Sequence, residues 1–166
     1  MPLLQAAGRV LVEPVAADRD IPPLTNSAMD GYAVRGADLA GVRTPVQLTV
    51  VGEIAAGYVS ETGVGPGQAM RIMTGAPIPE GADTVVRFED TQLSGDAVSI
   101  LKAPRAGANV RQAGEDVRAG QVVLEAGAVL RPQEIGMLAA VGCVEVAVVR
   151  RPRGAILATG DEVVSP

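Results

Sequence analysis

Glycine and proline punctuate this chain from end to end, 20 and 12 of them among 166 residues. That spacing decides most of what the chain can fold into. Glycine weakens a helix interior and proline breaks one, so short strands joined by turns are favoured over long helices. The core must come from small aliphatic side chains, since there is no Trp, one Phe and two Tyr, yet 48% of residues are apolar. Such an apolar share belongs to a globular chain, and the length allows one or two compact units.

Local patterns place the elements. Residues 1–16, MPLLQAAGRVLVEPVA, carry a short helical or extended apolar pattern with no N-cap ahead of it, as though starting in mid-fold. DRDIPPLTNS is a loop, because adjacent prolines forbid a helix interior. Asp30-Gly31 ahead of alternating apolar residues signals a hairpin or a turn into a strand. VQLTVVGEIAAGY predicts one long strand or two short ones, with Gly52 and Gly57 as kinks or bulges. Further strands are expected at AMRIM, within GADTVVRFEDTQL, and at SGDAVSILKA, which has Ser94-Gly95-Asp96 as its turn. GANVRQAGEDVRAGQVVLEAGAVL reads as a run of short strands set off by glycines.

The pattern then changes. Apolar residues at 135, 137, 138 and 141 have helical spacing, Pro132 suits a first turn and Gly142 suits a stop. VEVAVVR predicts a strand. AILATG looks like a buried parallel strand after which a helix should follow, so the chain is expected to stop just as a third unit begins.

Composition excludes several chemistries. With no histidine and a single cysteine, Cys143, there is no His-assisted nucleophile, no His-ligated metal, no intrachain disulfide and no thiolate zinc site. A metal here would be a hard cation such as Mg²⁺ bound by oxygen. The net charge of −5 and the lack of a basic stripe interleaved with aromatics argue against nucleic-acid binding. No apolar run is long enough to cross a bilayer and no signal peptide opens the chain, so the cytoplasm is the expected location.

Four groups of residues could carry chemistry, and each has a structural reading beside it. Asp30 is either a turn residue, in an Asp-Gly pair needing positive φ, or an acid mounted on a rigid turn. Thr74 and Gly75 form a loop tip that either closes on itself or offers a hydroxyl and an N–H to an anion. Asn109, Arg111, Glu115 and Asp116 either form an ion pair steadying a turn or place Arg111 on an anionic ligand with Asp116 facing a cleft. Asp161 and Glu162 follow a predicted parallel strand, where α/β sheets put ligands. Arg71 is a weaker candidate. Ser27, Met29 and Tyr32 read as packing or turn residues, and Cys143 as a small core residue.

Six stretches in order, NSAMDGYAV, GEIAAG, RIMTGAPIPEGADTVV, NVRQAGEDVRAG, PQEIGMLAAVG and ATGDE, resemble the N-terminal half of the molybdopterin molybdenumtransferases, the MoeA and gephyrin E-domain family. The resemblance covers nearly the whole chain. It implies an α+β, mainly β architecture with residues 1–19 and 120–151 as domain I, 20–119 as an inserted all-β domain II, and 152–166 as the first strand of an α/β domain III. It implies insertion of molybdate into adenylylated molybdopterin with release of AMP, assisted by Mg²⁺, in an elongated homodimer whose cleft lies between domain II of one subunit and domain III of the other. On that template Asp30, Asp116 and Glu162 are catalytic candidates and Asp30 a metal ligand. Thr74, Gly75, Arg111 and Asp161 are candidates for binding. Two departures stand out: Leu24 and Thr25 where the family often has an aromatic and an acid, and Arg87 and Phe88 where polar residues or Met are common. The alternatives are a non-catalytic dimerising module of the same family and a homologue handling tungstate. The chain alone is expected to be inactive.

Overall fold

The computed structural model describes residues 1–155. Their elements in chain order are β1 (Val15–Ala16), β2 (Asn26–Ser27), β3 (Gly31–Val34), β4 (Val46–Ile54), β5 (Gln68–Ile72), β6 (Thr84–Arg87), β7 (Thr91–Ser94), β8 (Ala97–Ile100), β9 (Val110–Arg111), β10 (Val122–Leu124) and α1 (Pro132–Ala140). The fold is mainly β with one α-helix among the described residues. Two compact units result. Met1–Ala16 with the residues from Val122 on form the first, and Ala17–Gln121 form the second.

The second unit is organised by a six-stranded sheet of order β6-β3-β5-β4-β8-β7. β4 and β5 run parallel and the other neighbours antiparallel. Alternation along each strand sends side chains to opposite faces. Tyr32, Val34, Ala69 and Val86 join one apolar cluster, while Ala33, Met70, Ile72 and Val85 join the other. With both faces covered, all four residues of β3 are buried. Tyr32 meets Phe88 edge-on with ring centroids 5.4 Å apart, and the Arg71 guanidinium lies 5.2 Å from the Phe88 centroid. The expected hairpin turn is present, β7 pairing with β8 from Ser94↔Ala97 around Gly95-Asp96, with Gly95 at φ 58. β4 is one strand of nine residues whose register against β5 shifts between Val50 and Glu53, at Gly52.

Asp30-Gly31 is not a hairpin turn. β3 pairs with β5 and β6, not with β2, and Gly31 has no left-handed φ. The glycine is needed for another reason: a Cβ there would stand 2.0 Å from the Val86 carbonyl oxygen. Close approach of β3 to the edge strand β6, rather than a chain reversal, selects it.

The first unit has a core of Leu3, Ala6, Leu11, Leu130, Leu138 and Val146. Its helix α1 starts at Pro132, the Glu134 carboxylate accepts the Arg131 N–H at 2.9 Å, and Gly142 at φ 79 ends it. Nine residues are too few for a stable isolated helix, so burial of Leu138, worth about 2–3 kcal/mol, is what holds it. The strand expected over VEVAVVR does not form. Residues 144–149 touch the N-terminal segment at isolated bridges, Pro2↔Glu145 and Leu11↔Val148. A 3-10 turn at Leu3–Gln5 interrupts the partner, so no continuous ladder can grow. Cys143 is half-buried beside this core. The strand expected at AILATG lies almost wholly outside the described residues.

Candidate functional site

β2 is two residues long, yet it organises the chemistry of the second unit. On one edge it pairs with β9, Asn26↔Arg111 and Ser27↔Val110, and Ala28 N–H donates to the Asn109 carbonyl at 2.9 Å. On the other edge Gly75 N–H donates to the Ser27 carbonyl at 2.8 Å, Ser27 N–H to Ala76 at 2.9 Å, and Ile78 N–H to Thr25 at 3.1 Å. Alternate residues of an extended segment aim their backbone groups to opposite sides. Through this one segment, loops near residues 30, 74 and 110 become neighbours.

Asp30 sits where this segment bends into β3. The Ser27 hydroxyl, buried, donates to the Met29 carbonyl at 2.5 Å and accepts the Met29 N–H at 3.3 Å, which pins the bend. Phe88 N–H donates to the Asp30 carbonyl at 3.2 Å. The carboxylate finds its partner on another loop: Asp30 Oδ1 accepts both the Thr74 N–H and the Thr74 hydroxyl, each at 2.7 Å. The backbone donor first and the hydroxyl second hold the Asp30 carboxyl below the ordinary aspartate range, because both stabilise the charged form. Asp30 is exposed, and its Oδ2 takes no hydrogen bond from the described residues. The result is an ionised carboxylate with one oxygen anchored and one presented outward.

Thr74 and Gly75 are spent differently from a simple anion loop. Both Thr74 donors go to the Asp30 carboxylate and the Gly75 N–H goes to Ser27. Arg111 is likewise committed. Its Nη2 pairs with Asp116 Oδ2, and its Nε lies 3.7 Å from Glu115 Oε1. The Asp116 hydrogen bond raises the arginine's pKa above its ordinary value. Glu115 also accepts the Gln112 N–H at 2.9 Å. Asn109 takes the left-handed φ of 60 that suits asparagine, and its Nδ2 donates to the Val85 carbonyl at 2.8 Å. The Thr25 hydroxyl oxygen accepts the Ala113 N–H at 3.3 Å. Arg87 donates to Asp90, and Arg71 to Glu53 at 3.3 Å, so both pair locally. Asp161 and Glu162 lie outside the described residues.

Sequence reasoning passed over Asn26. Its Oδ1 is buried and unpartnered, and it lines a pocket of about 220 Å³ with Leu24, Gly57, Val59, Gly75 and Pro77. The only local signal was an amide within a run of small residues. A larger apolar recess of about 500 Å³, between Pro2–Gln5 and Ala139–Val144, lies in the first unit and offers no ionisable side chain but the Cys143 thiol. Among the described residues no group of three acids or thiols is placed to hold a metal, and no helix is long and apolar enough to cross a membrane.

A β module carrying an anchored carboxylate, set in sequence between two halves of a small helix-bearing unit, defines a two-unit, mainly β class. The family described as the MoeA N-terminal region (domain I and II) matches residues 1–142. The chain belongs to the MoeA family. A molybdopterin molybdenumtransferase of Nostoc sp. is 47% identical over 165 residues, covering 98% of this chain and 38% of the relative. Molybdopterin molybdenumtransferase 2 of Mycobacterium tuberculosis is 43% identical over 168 residues, covering 100% of this chain and 42% of the relative. The crystal structure of the molybdopterin biosynthesis moeA protein from Pyrococcus horikoshii matches with a TM-score of 0.84 at 42% identity, over 88% of this chain and 39% of that one. The chain therefore spans about two fifths of the length of these relatives.

Proposed function

We infer that this chain supplies the N-terminal region of a molybdopterin molybdenumtransferase. The intact protein would insert molybdate into adenylylated molybdopterin with release of AMP, in molybdenum cofactor synthesis. The observation that carries this reading, beside family membership, is the Asp30–Thr74 contact. Two of the stretches that mark the family, 44 residues apart, meet there to hold one ionised carboxylate outward.

The residues present fit Mg²⁺ as one vertex of its shell. Mg²⁺ is commonly held by one or two carboxylates with water and substrate phosphates completing the octahedron. Asp30 Oδ2 would be the protein ligand here. When bound, the cation neutralises negative charge on a phosphate and polarises it. Asp30 alternatively orients the hydrolytic water through the same oxygen. Asp116 and Glu162 are the further acids of the proposed site. Thr74 and Gly75 shape the loop that holds Asp30, Arg111 would meet an anionic substrate group by releasing Asp116, and Asp161 would line the same cleft. A homodimer in the cytoplasm, with neither nucleic acid nor membrane as partner, completes the proposal. The exposed Leu4 and Val144, at 86% and 78%, are apolar surface of the kind a subunit contact covers.

The test is molybdate-dependent AMP release from adenylylated molybdopterin by the full-length gene product and its Asp30→Asn variant. Turnover should collapse by about 10²-fold or more in the variant, with the thermal midpoint retained. Undiminished turnover would remove Asp30 from the site. No AMP from the wild type would remove the transferase assignment and favour a dimerising module.

A further inference from the structure

The arginines of this acidic chain are unevenly partnered. Arg19, Arg71, Arg87, Arg111 and Arg131 each face a carboxylate. The others pair with none among the described residues, and of these Arg9, Arg150 and Arg151 wall one pocket of about 170 Å³ in the first unit. Gly8, Val149 and Pro152 complete it, and no acid lines it.

Its walls are tied together. Val149 N–H donates to the Val10 carbonyl at 2.8 Å and Val12 N–H to Ala147 at 2.9 Å. Arg9 Nη2 donates to the Val149 carbonyl at 2.9 Å, so its guanidinium is docked rather than free in solvent. Arg9 Nε is buried and has no acceptor. Buried donors on charged groups are rarely left so, because each unmade bond is costly. Nε and Nη2 share the edge with which an arginine grips an oxyanion two-pronged, as Arg19 grips both oxygens of Asp18. In Arg9 a single carbonyl fills half of that edge.

We propose that this pocket binds a small tetrahedral oxyanion of the phosphate type. Arg9 is its floor, and Arg150 and Arg151 are its rim. A slight turn of the Arg9 fork toward the pocket exchanges one bond to a carbonyl for a charge-assisted pair that also engages Nε. Three cations with no intervening acid set the sign of the ligand, and the pocket volume limits it to a phosphate group or a small phosphate ester. The site uses no residue of the proposed transferase site, so the two readings stand or fall separately.

Calorimetric titration of the 166-residue chain with inorganic phosphate, at ionic strength held constant with chloride, tests this. Saturable binding is expected, weakened about tenfold or more in Arg9→Gln. Arg151→Gln should weaken it too; its side chain is exposed, so that variant keeps the test valid should Arg9→Gln fail to fold. Arg43→Gln removes the same charge from an exposed position in the second unit and should leave binding unchanged. Absence of saturable binding, or equal loss in Arg43→Gln and Arg151→Gln, overturns the proposal. So does competition by acetate as effective as by phosphate, which would assign the pocket to a carboxylate from another segment or copy.

Discussion

The two units draw on the same aliphatic alphabet and use it differently. In the second unit a continuous six-stranded sheet buries valine and isoleucine on both faces. Its Asp30 and Thr74 loops are joined by bonds between residues 44 apart in sequence. In the first unit pairing is limited to the short two-stranded β1–β10 ladder and a few isolated bridges, and one short helix leans on Leu138. A ladder specifies position to a fraction of an ångström, because each strand is registered by several bonds at once. A few packed leucines specify contact but leave more latitude. The candidate carboxylate sits in the unit with the continuous ladder, which suits a group that must present one oxygen in a set direction.

Gly31→Val should break the contrast most severely. Its Cβ would meet the Val86 carbonyl at 2.0 Å where β3 pairs with the edge strand β6, and the expected loss is about 3 kcal/mol or more by urea unfolding. A loss below about 1 kcal/mol would mean that β3 and β6 part easily and that the sheet is less rigid than argued. Leu138→Ala in the first unit should cost about 2–4 kcal/mol, less if the looser packing collapses around the void. A cost exceeding that of Gly31→Val would reverse the ranking of the two units.

Thr74→Val sharpens the comparison at smaller scale. It removes the hydroxyl donor but keeps the N–H, the larger of the two causes, so the Asp30 pKa should rise toward the ordinary aspartate value without reaching it. Carboxyl NMR titration reads this directly, and an unmoved pKa would show that the hydroxyl contributes nothing. The folded carboxyl titrates below its unfolded value. The contact therefore stabilises at pH above about 4 and is lost as pH falls through the lower, folded pKa. Below about pH 4 the thermal midpoint of the wild type should fall more steeply than that of Thr74→Val.

Some of this was legible in the sequence. Glycine and proline spacing, with so few aromatics, determined a mainly β chain. Helical periodicity with Pro132 ahead and Gly142 behind determined α1, the turn at Gly95-Asp96 its hairpin, and the ordered motifs the MoeA family. These are properties of neighbouring residues, whose steric and hydrogen-bonding preferences act over a few positions. The strand expected over VEVAVVR failed because a strand needs an unbroken partner, and the partner lay beyond the reach of local pattern.

Only the tertiary structure decided who meets whom. Asp-Gly allowed a hairpin or a turn into a strand, and the second occurs, yet Gly31 is there because β3 packs tightly beside β6, and Asp30 answers to Thr74, 44 residues on. The placement of β3 next to β5 in the sheet brings those two residues together. Arg111 pairs with Asp116, one of the two readings its spacing had offered, whereas Arg9 shares a pocket with Arg150 and Arg151, residues far along the chain that no local pattern links to it. Side-chain partners follow strand order and register, and these are set by the burial of both sheet faces at once rather than by any local segment.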